Sequence, residues 1–259
     1  RELPLLLRIL SIVFVLYSSA LLSAESSVNN SAEKPLVHLY TYHYKPPFLI
    51  DTLAQQGFYY DVVDYFNEQS ELYQFKVTYL PRKRLDYLLG QQQLNGIVMG
   101  VLPKWFGDAN EQNYQWLPGF FPDKDAFVSL TSTPFEYINQ ASLTGKVIGC
   151  VAGHYYFNVN EAVEKELAQR IDTVAEYQVL QLVKKRRADF GLISESTFKY
   201  FAKHSDFTGD FHVSQKSHDE YIRRAFITST QPKLHEEMRR LFALAQSTGS
   251  WQSLREKYE

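Results

Sequence analysis

Apolar positions recur along this chain with two alternating periods, about two residues over short runs and about 3.6 over longer ones. Residues 36–42 alternate and predict a strand. The next stretch, Tyr42-His43-Tyr44-Lys45-Pro46-Pro47-Phe48, cannot continue a ladder, because two prolines remove donors and restrict the residue before them. It predicts a loop at the strand's carboxyl end. Phe58, Val62, Tyr65 and Phe66 then share one helical face over 58–68, with Gly57 just before it. Residues 75–80 predict a second strand stopped by Pro81, 84–89 a short helix ending at Gly90, and 97–101 a buried third strand. Strands alternating with helices imply a doubly wound, mostly parallel sheet whose ligands collect beyond the strands' carboxyl ends. The loops at 42–48, 81–84 and 100–105 should therefore converge.

A second set follows. Residues 116–123 read as a loop and 125–130 as a strand connecting two lobes. Val147, Ile148, Cys150 and Val151 form a short β-rich run after a turn at Gly145, and Gly153 breaks it. With helical spacing over 158–170, Gly153-His154-Tyr155 becomes a strand-to-helix loop whose backbone N–H groups suit an anion or polar ligand. A helix over 176–186, a strand over 190–193 and a helix through Phe201 come next, with Ser194 as helix cap and Glu195 at the strand end. After an irregular stretch to Glu220, a strand over 221–227 and helices over 232–246 and 251–258 close the chain.

Composition narrows the function. A chain of 259 residues, 45% of them hydrophobic and 22% charged, can bury one large core or two medium ones, which suits two lobes. A net charge of −2 excludes a strong field for nucleic acid, and the basic clusters at 82–84 and 184–187 are short. The 18 Tyr, 18 Phe and 3 Trp exceed what a core needs and leave rings to line a ligand cleft. Cys150 is the single cysteine, so neither a disulfide framework nor a cysteine-built zinc site is expected. Neither Gly-x-Ser-x-Gly nor a phosphate-cradling Gly-Lys-Ser/Thr loop occurs, and His235-Glu236-Glu237 lacks the second histidine of a zinc-protease helix. No catalytic residue, metal or cofactor is expected. Residues 1–24 read as a cleaved export signal: Arg1 and Arg8 supply charge, 9–16 are mainly apolar, and small residues such as Ser18, Ala20 and Ala24 follow. An uncleaved anchor helix is the other reading of that segment.

Several pieces together resemble the bacterial periplasmic solute-binding proteins of the polar amino-acid type, solute-binding family 3. They are Pro46-Pro47-Phe48 with Gly57 and Asp61; Leu143-Thr144-Gly145-Lys146-Val147-Ile148-Gly149 with Gly153; Ala188-Asp189-Phe190-Gly191-Leu192-Ile193; and Gly249-Ser250-Trp251 through Tyr258. The resemblance implies an α/β, two-lobed type II periplasmic-binding-protein fold, each lobe a doubly wound mostly parallel sheet with flanking helices. Lobe 1 would be discontinuous, 35–128 plus 220–259, with 129–219 inserted as lobe 2. It also implies a periplasmic monomer that binds a small polar solute between lobes, with an ABC permease in the inner membrane as partner. A sensing module without transport, or a relative of cell-wall hydrolases, are the alternatives.

Carried over by residue, the resemblance puts the family's acid for a ligand ammonium on Glu195. Its carboxylate-binding Arg falls on Trp105, within Leu102-Pro103-Lys104-Trp105. Either the ligand has no carboxylate, or Arg82, Arg84 or Lys104 replaces that Arg, with Arg84 preferred. Tyr42, Tyr44, Phe48 and Trp105 are candidate aromatic walls, and Gly153 and His154 candidate donors.

Overall fold

The computed structural model describes residues 33–204, 207 and 209–258. The export signal expected over 1–24 lies outside them. In chain order the regular elements are β1 (Leu36–Thr41), α1 (Phe58–Gln69), β2 (Gln74–Tyr79), α2 (Arg82–Gly90), β3 (Gly96–Val101), β4 (Gln115–Trp116) and β5 (Phe121–Leu130). Then come β6 (Val147–Val151), α3 (Val159–Glu164), β7 (Gln169–Thr173), α4 (Glu176–Lys184), β8 (Phe190–Ser194), α5 (Glu195–His204), β9 (Phe211–Val213), β10 (Asp219–Ile227), α6 (Pro232–Ser247) and α7 (Ser250–Glu256).

The strands form one continuous curled sheet in the order β2-β1-β3-β10-β5-β8-β6-β7, with β4 beside β10 and β9 beside β5. β1 is parallel to both β2 and β3, and β6 is parallel to both β7 and β8. These two parallel sets are the βα units that the alternating periods predict. Between them run two antiparallel strands, each of which serves both sets. Phe121–Asp125 of β5 pair with β10, while the rest of β5 pairs with β8 and β9. The first half of β10 pairs with β5, and after a register shift at Arg224/Ala225 its second half pairs with β3.

Each set is packed on both faces, as helices on two sides of a sheet require. Leu39, Phe58, Phe66, Phe120, Phe242 and Trp251 belong to one cluster under β1–β3, and Tyr40, Leu85, Val98 and Phe226 fill the opposite face. In the second set, Phe127, Ile148, Val159 and Phe190 form one cluster and Val128, Val179, Leu180 and Ile193 the other. Cys150 is buried in β6 within this packing, and burial pushes its thiol up to about 12, which suits a core residue.

Three expectations are corrected. The helix expected over 158–170 ends at Glu164. Glu166 takes a positive φ of 58°, and Gln169–Thr173 become β7, paired parallel with β6 along five residues. An edge strand buries little, so the polar Gln-Arg-Ile-Asp-Thr carries no alternation from which to see it. β5 begins at Phe121 rather than at 125, with Pro122 opposite Ile222. Part of the irregular stretch before 220 is β9, a three-residue strand whose order comes from β5 beside it.

Candidate functional site

The loops after β1 and β3 and the carboxyl end of β2 converge where β5 and β10 cross between the two sets. At their centre lies Arg223 of β10, a charged side chain only 1% exposed. Its Nη2 and Nε donate to Asp123 Oδ2 at 2.8 and 3.0 Å, and Asp123 is also 1% exposed. Nη1 donates to Gly100 O (3.0 Å) and to His43 Nε2 (3.2 Å), and Nη2 also reaches Tyr221 Oη (3.2 Å). The guanidinium lies over the rings of Phe48 (4.6 Å), Tyr221 (5.2 Å) and Trp105 (5.7 Å). Burial alone would lower its pKa, but Tyr221 and Asp123 beside it raise it above the ordinary arginine value.

His43 is held neutral by this arrangement. Burial first, then the Arg223 charge and Lys45, push its pKa well below the usual histidine range. Since Arg223 donates to Nε2, the ring proton sits on Nδ1, 3.5 Å from Thr41 Oγ1. Gly100 is fitted to the same spot. Its φ of +82° is one that L side chains rarely adopt, and a Cβ there would sit 1.7 Å from Tyr59 Oη. Gly100→Ala is therefore expected to lower stability by about 2–4 kcal/mol, read as a drop in the urea midpoint at constant slope.

The second polar centre joins the loop after β1 to the β6–β8 set. Lys45 Nζ donates to Glu176 Oε1 (2.6 Å) and to Ser194 Oγ (2.8 Å), with the Lys45 and Glu176 side chains 15% and 5% exposed. Ser194 Oγ also lies 3.0 Å from Glu176 Oε2 and 2.9 Å from Thr197 Oγ1, and Thr197 donates in turn to Pro46 O at 2.7 Å. Ser194, read from sequence as a helix cap, thus stands at the end of β8 inside a buried network.

Asp125 of β5 and Tyr221 of β10 link the two centres. Tyr221 Oη accepts from Arg223 and donates to Asp125 Oδ1 at 2.9 Å. Burial raises the Asp125 carboxyl to about 6, against the opposing pull of Lys45 and the Tyr221 hydrogen bond. His154 Nδ1 lies 3.2 Å from Tyr156 Oη.

The residues singled out from sequence fall at different distances from these centres. Trp105 and Phe48 cover Arg223, and Trp105 meets Tyr221 edge to face at 5.3 Å. The Tyr42 ring lies tilted against His43 with centroids 4.2 Å apart, and its hydroxyl accepts from Arg82 Nη1 at 3.3 Å. Arg82, whose Nη2 donates to Trp105 O (2.6 Å), is the α2 arginine tied to these loops. Arg84 is exposed on α2, with its guanidinium 5.6 Å from the Tyr87 ring. Tyr44 is 59% exposed and packs on Tyr79. Lys104 pairs with Asp219 at 2.5 Å. Glu195, 25% exposed, pairs with Lys124 (3.1 Å) and Lys199 (3.3 Å) rather than turning toward Lys45 and Ser194. Gly153 and His154 are exposed, and the His154 N–H points back to Val151 O at 3.3 Å.

Sequence reasoning missed Lys45, Asp123, Asp125, Glu176, Tyr221 and Arg223. Lys45 lay in a loop already singled out, and its place beside two prolines was the available signal. The others sit in strands or at a helix start, where a charge reads locally as surface. Among the described residues no group of three His, Cys, Asp or Glu could hold a metal, and no helix is long and apolar enough to cross a membrane.

No family model matches the sequence, and neither does any curated protein. Solved structures do match by shape. A mutant ArgBP from T. maritima superposes with a TM-score of 0.67 at 14% identity, covering 86% of this chain and 94% of that one. The GluR0 ligand-binding core from Nostoc punctiforme in complex with L-glutamate gives 0.67 at 16%, covering 86% and 99%. An ancestral amino acid-binding protein, AncCDT-1, a precursor of cyclohexadienyl dehydratase, gives 0.64 at 17%, covering 86% and 95%. With two βα sets joined by two crossing strands and these neighbours, the chain has the two-lobed type II periplasmic-binding-protein fold.

Proposed function

We propose that the chain is a periplasmic solute-binding protein that captures a small polar solute, an amino acid or a related compound, between its lobes for ABC-type import. The observation that carries this reading is the convergence of buried polar groups from both βα sets, Lys45 with Glu176 and Ser194, beside the crossing strands β5 and β10. Side chains so placed meet only when the two sets approach, and two connecting strands are the hinge on which they would do so. Lobe 1 as residues 35–128 plus 220–259 and lobe 2 as 129–219 belong to this reading, as do an export signal over 1–24, a monomeric state and an inner-membrane permease as partner. The protein is read as a binder rather than an enzyme.

A thermal-shift screen of the protein against amino acids, polyamines, organic acids and small peptides tests the reading. A true solute at 100 times its Kd should stabilise by about 2.7 kcal/mol, a melting shift on the order of 5–10 °C for a chain of this length. A complete screen without any shift would defeat the proposal. The second reading is a sensing module without transport, which would use the same cleft. A permease and an ATPase encoded beside this chain would decide for transport, and a membrane sensor for the alternative.

A further inference from the structure

We propose, resting on the reading of this cleft as a solute site, that its solute is a small organic cation without a carboxylate, held by Asp125. The argument is one of charge partners. Lys45 has Glu176, Arg223 has Asp123, Arg82 has Asp86, Lys104 has Asp219 and Arg170 has Asp172. At the seam between the two sets, a ligand carboxylate would have to displace Glu176 from Lys45 or Asp123 from Arg223, and breaking either buried pair is costly. Asp125 is the exception: among the described residues no cationic side chain lies within ion-pair distance of it, and its hydrogen bond from a side chain is the neutral one from Tyr221 Oη. Its residue is partly exposed, at the seam between the two strand sets.

The surroundings of Asp125 suit a cation. Asp125 accepts the Tyr221 hydroxyl, and a carboxylate so placed pairs with ammonium and guanidinium groups through charge-assisted hydrogen bonds. The register of β5 sets Asp125 opposite Asp219 of β10 and Ser194 of β8, where the two sets of strands meet. The charged and titratable groups that act on it are Lys45 from the loop after β1, Glu176 from α4, Tyr221 and Arg223 from β10, and Tyr156 before α3. Its raised pKa adds a pH dependence: the carboxylate that pairs with a cation forms as pH rises through about 6, so affinity should increase from pH 5 to pH 7.

Calorimetric titration of the wild-type protein with two matched pairs, agmatine against arginine and phenethylamine against phenylalanine, tests the claim. In at least one pair the amine should bind about tenfold or more tightly than its amino acid, and more tightly at pH 7 than at pH 5. Asp125→Asn should weaken that amine about tenfold or more without lowering the melting temperature, since it removes a carboxylate that burial disfavours. Tyr221→Phe, which keeps the carboxylate, should retain the preference for the amine. An amino acid that binds as tightly as its amine, or an amine indifferent to Asp125→Asn, overturns the proposal. If none of the four binds while a neutral or anionic solute does, the cation claim falls and the solute-binding reading stands; if nothing binds, both fall.

Discussion

Asp123→Asn is expected to lower stability by about 3–5 kcal/mol, because it leaves the Arg223 guanidinium buried without its counter-charge. Arg223 is 1% exposed, and its remaining partners are neutral: the Gly100 carbonyl, the His43 ring and the Tyr221 hydroxyl. Asn offers one carbonyl oxygen in place of the carboxylate and none of its charge. No water can compensate at that depth, so the loss should appear in full as a melting temperature lower by roughly 10 °C. Arg223→Met should cost less, because Asp123 loses its counter-charge but keeps the Ser196 hydroxyl and the Ser196 and Lys124 N–H groups. The double variant should lose less than the sum of the two, since the penalty is that of an unpaired charge rather than of the missing pair. Additive losses, or an Asp123→Asn protein that melts like the wild type, would show that the pair does not hold the crossing strands together.

The second large effect is expected on the approach of the two strand sets rather than on their folding. Lys45→Met removes the cation that Glu176 meets across the cleft, and with it the donor to Ser194. While the sets stay together, Glu176, 5% exposed, would be a buried carboxylate without its counter-charge, keeping only its Ser194 donors, at a cost of about 3–5 kcal/mol. Once the sets part, water hydrates it and most of that cost disappears. The balance between closed and parted forms should thus move by roughly 2–3 powers of ten toward the parted one, since each 1.4 kcal/mol is tenfold. Small-angle scattering should record a larger radius of gyration for Lys45→Met than for the wild type. Glu176→Gln should give a smaller change in the same direction, because its amide oxygen still accepts from Lys45. Equal radii for all three proteins would mean that this pair does not govern closure.

Both effects rest on residues that their local sequence disguises. Arg223 stands in a stretch, Tyr-Ile-Arg-Arg-Ala, that reads as the start of a strand, and Asp123 at the end of a stretch read as a loop. What buries them is the antiparallel pairing of β5 beside β10 between the two sets, which brings together residues 100 positions apart. The aromatic residues around them were easier to see. Phe48 and Trp105 were candidates because their loops follow strands, and both do cover the Arg223 guanidinium. Arg84 and Arg82 are two residues apart on α2, and the period that placed them on a helix could not say which of the two faces Tyr42 and Trp105. Ser194 ends β8 and Glu195 opens α5, so the two adjacent side chains leave the backbone in different directions; Ser194 joins Lys45, and Glu195 meets two surface lysines.

By itself the sequence determined the alternation of strands and helices, the loops at strand ends and the two sets of βα units, because those follow from local period and from Gly and Pro at fixed places. It also determined that Cys150 is a core residue, through the apolar run around it. The edge strand β7, the early start of β5 and the identity of the charges at the cleft were decided by tertiary structure alone. Each depends on a neighbour distant in sequence that supplies a ladder, a counter-ion or a low-dielectric surrounding, and no local period records the presence of such a neighbour.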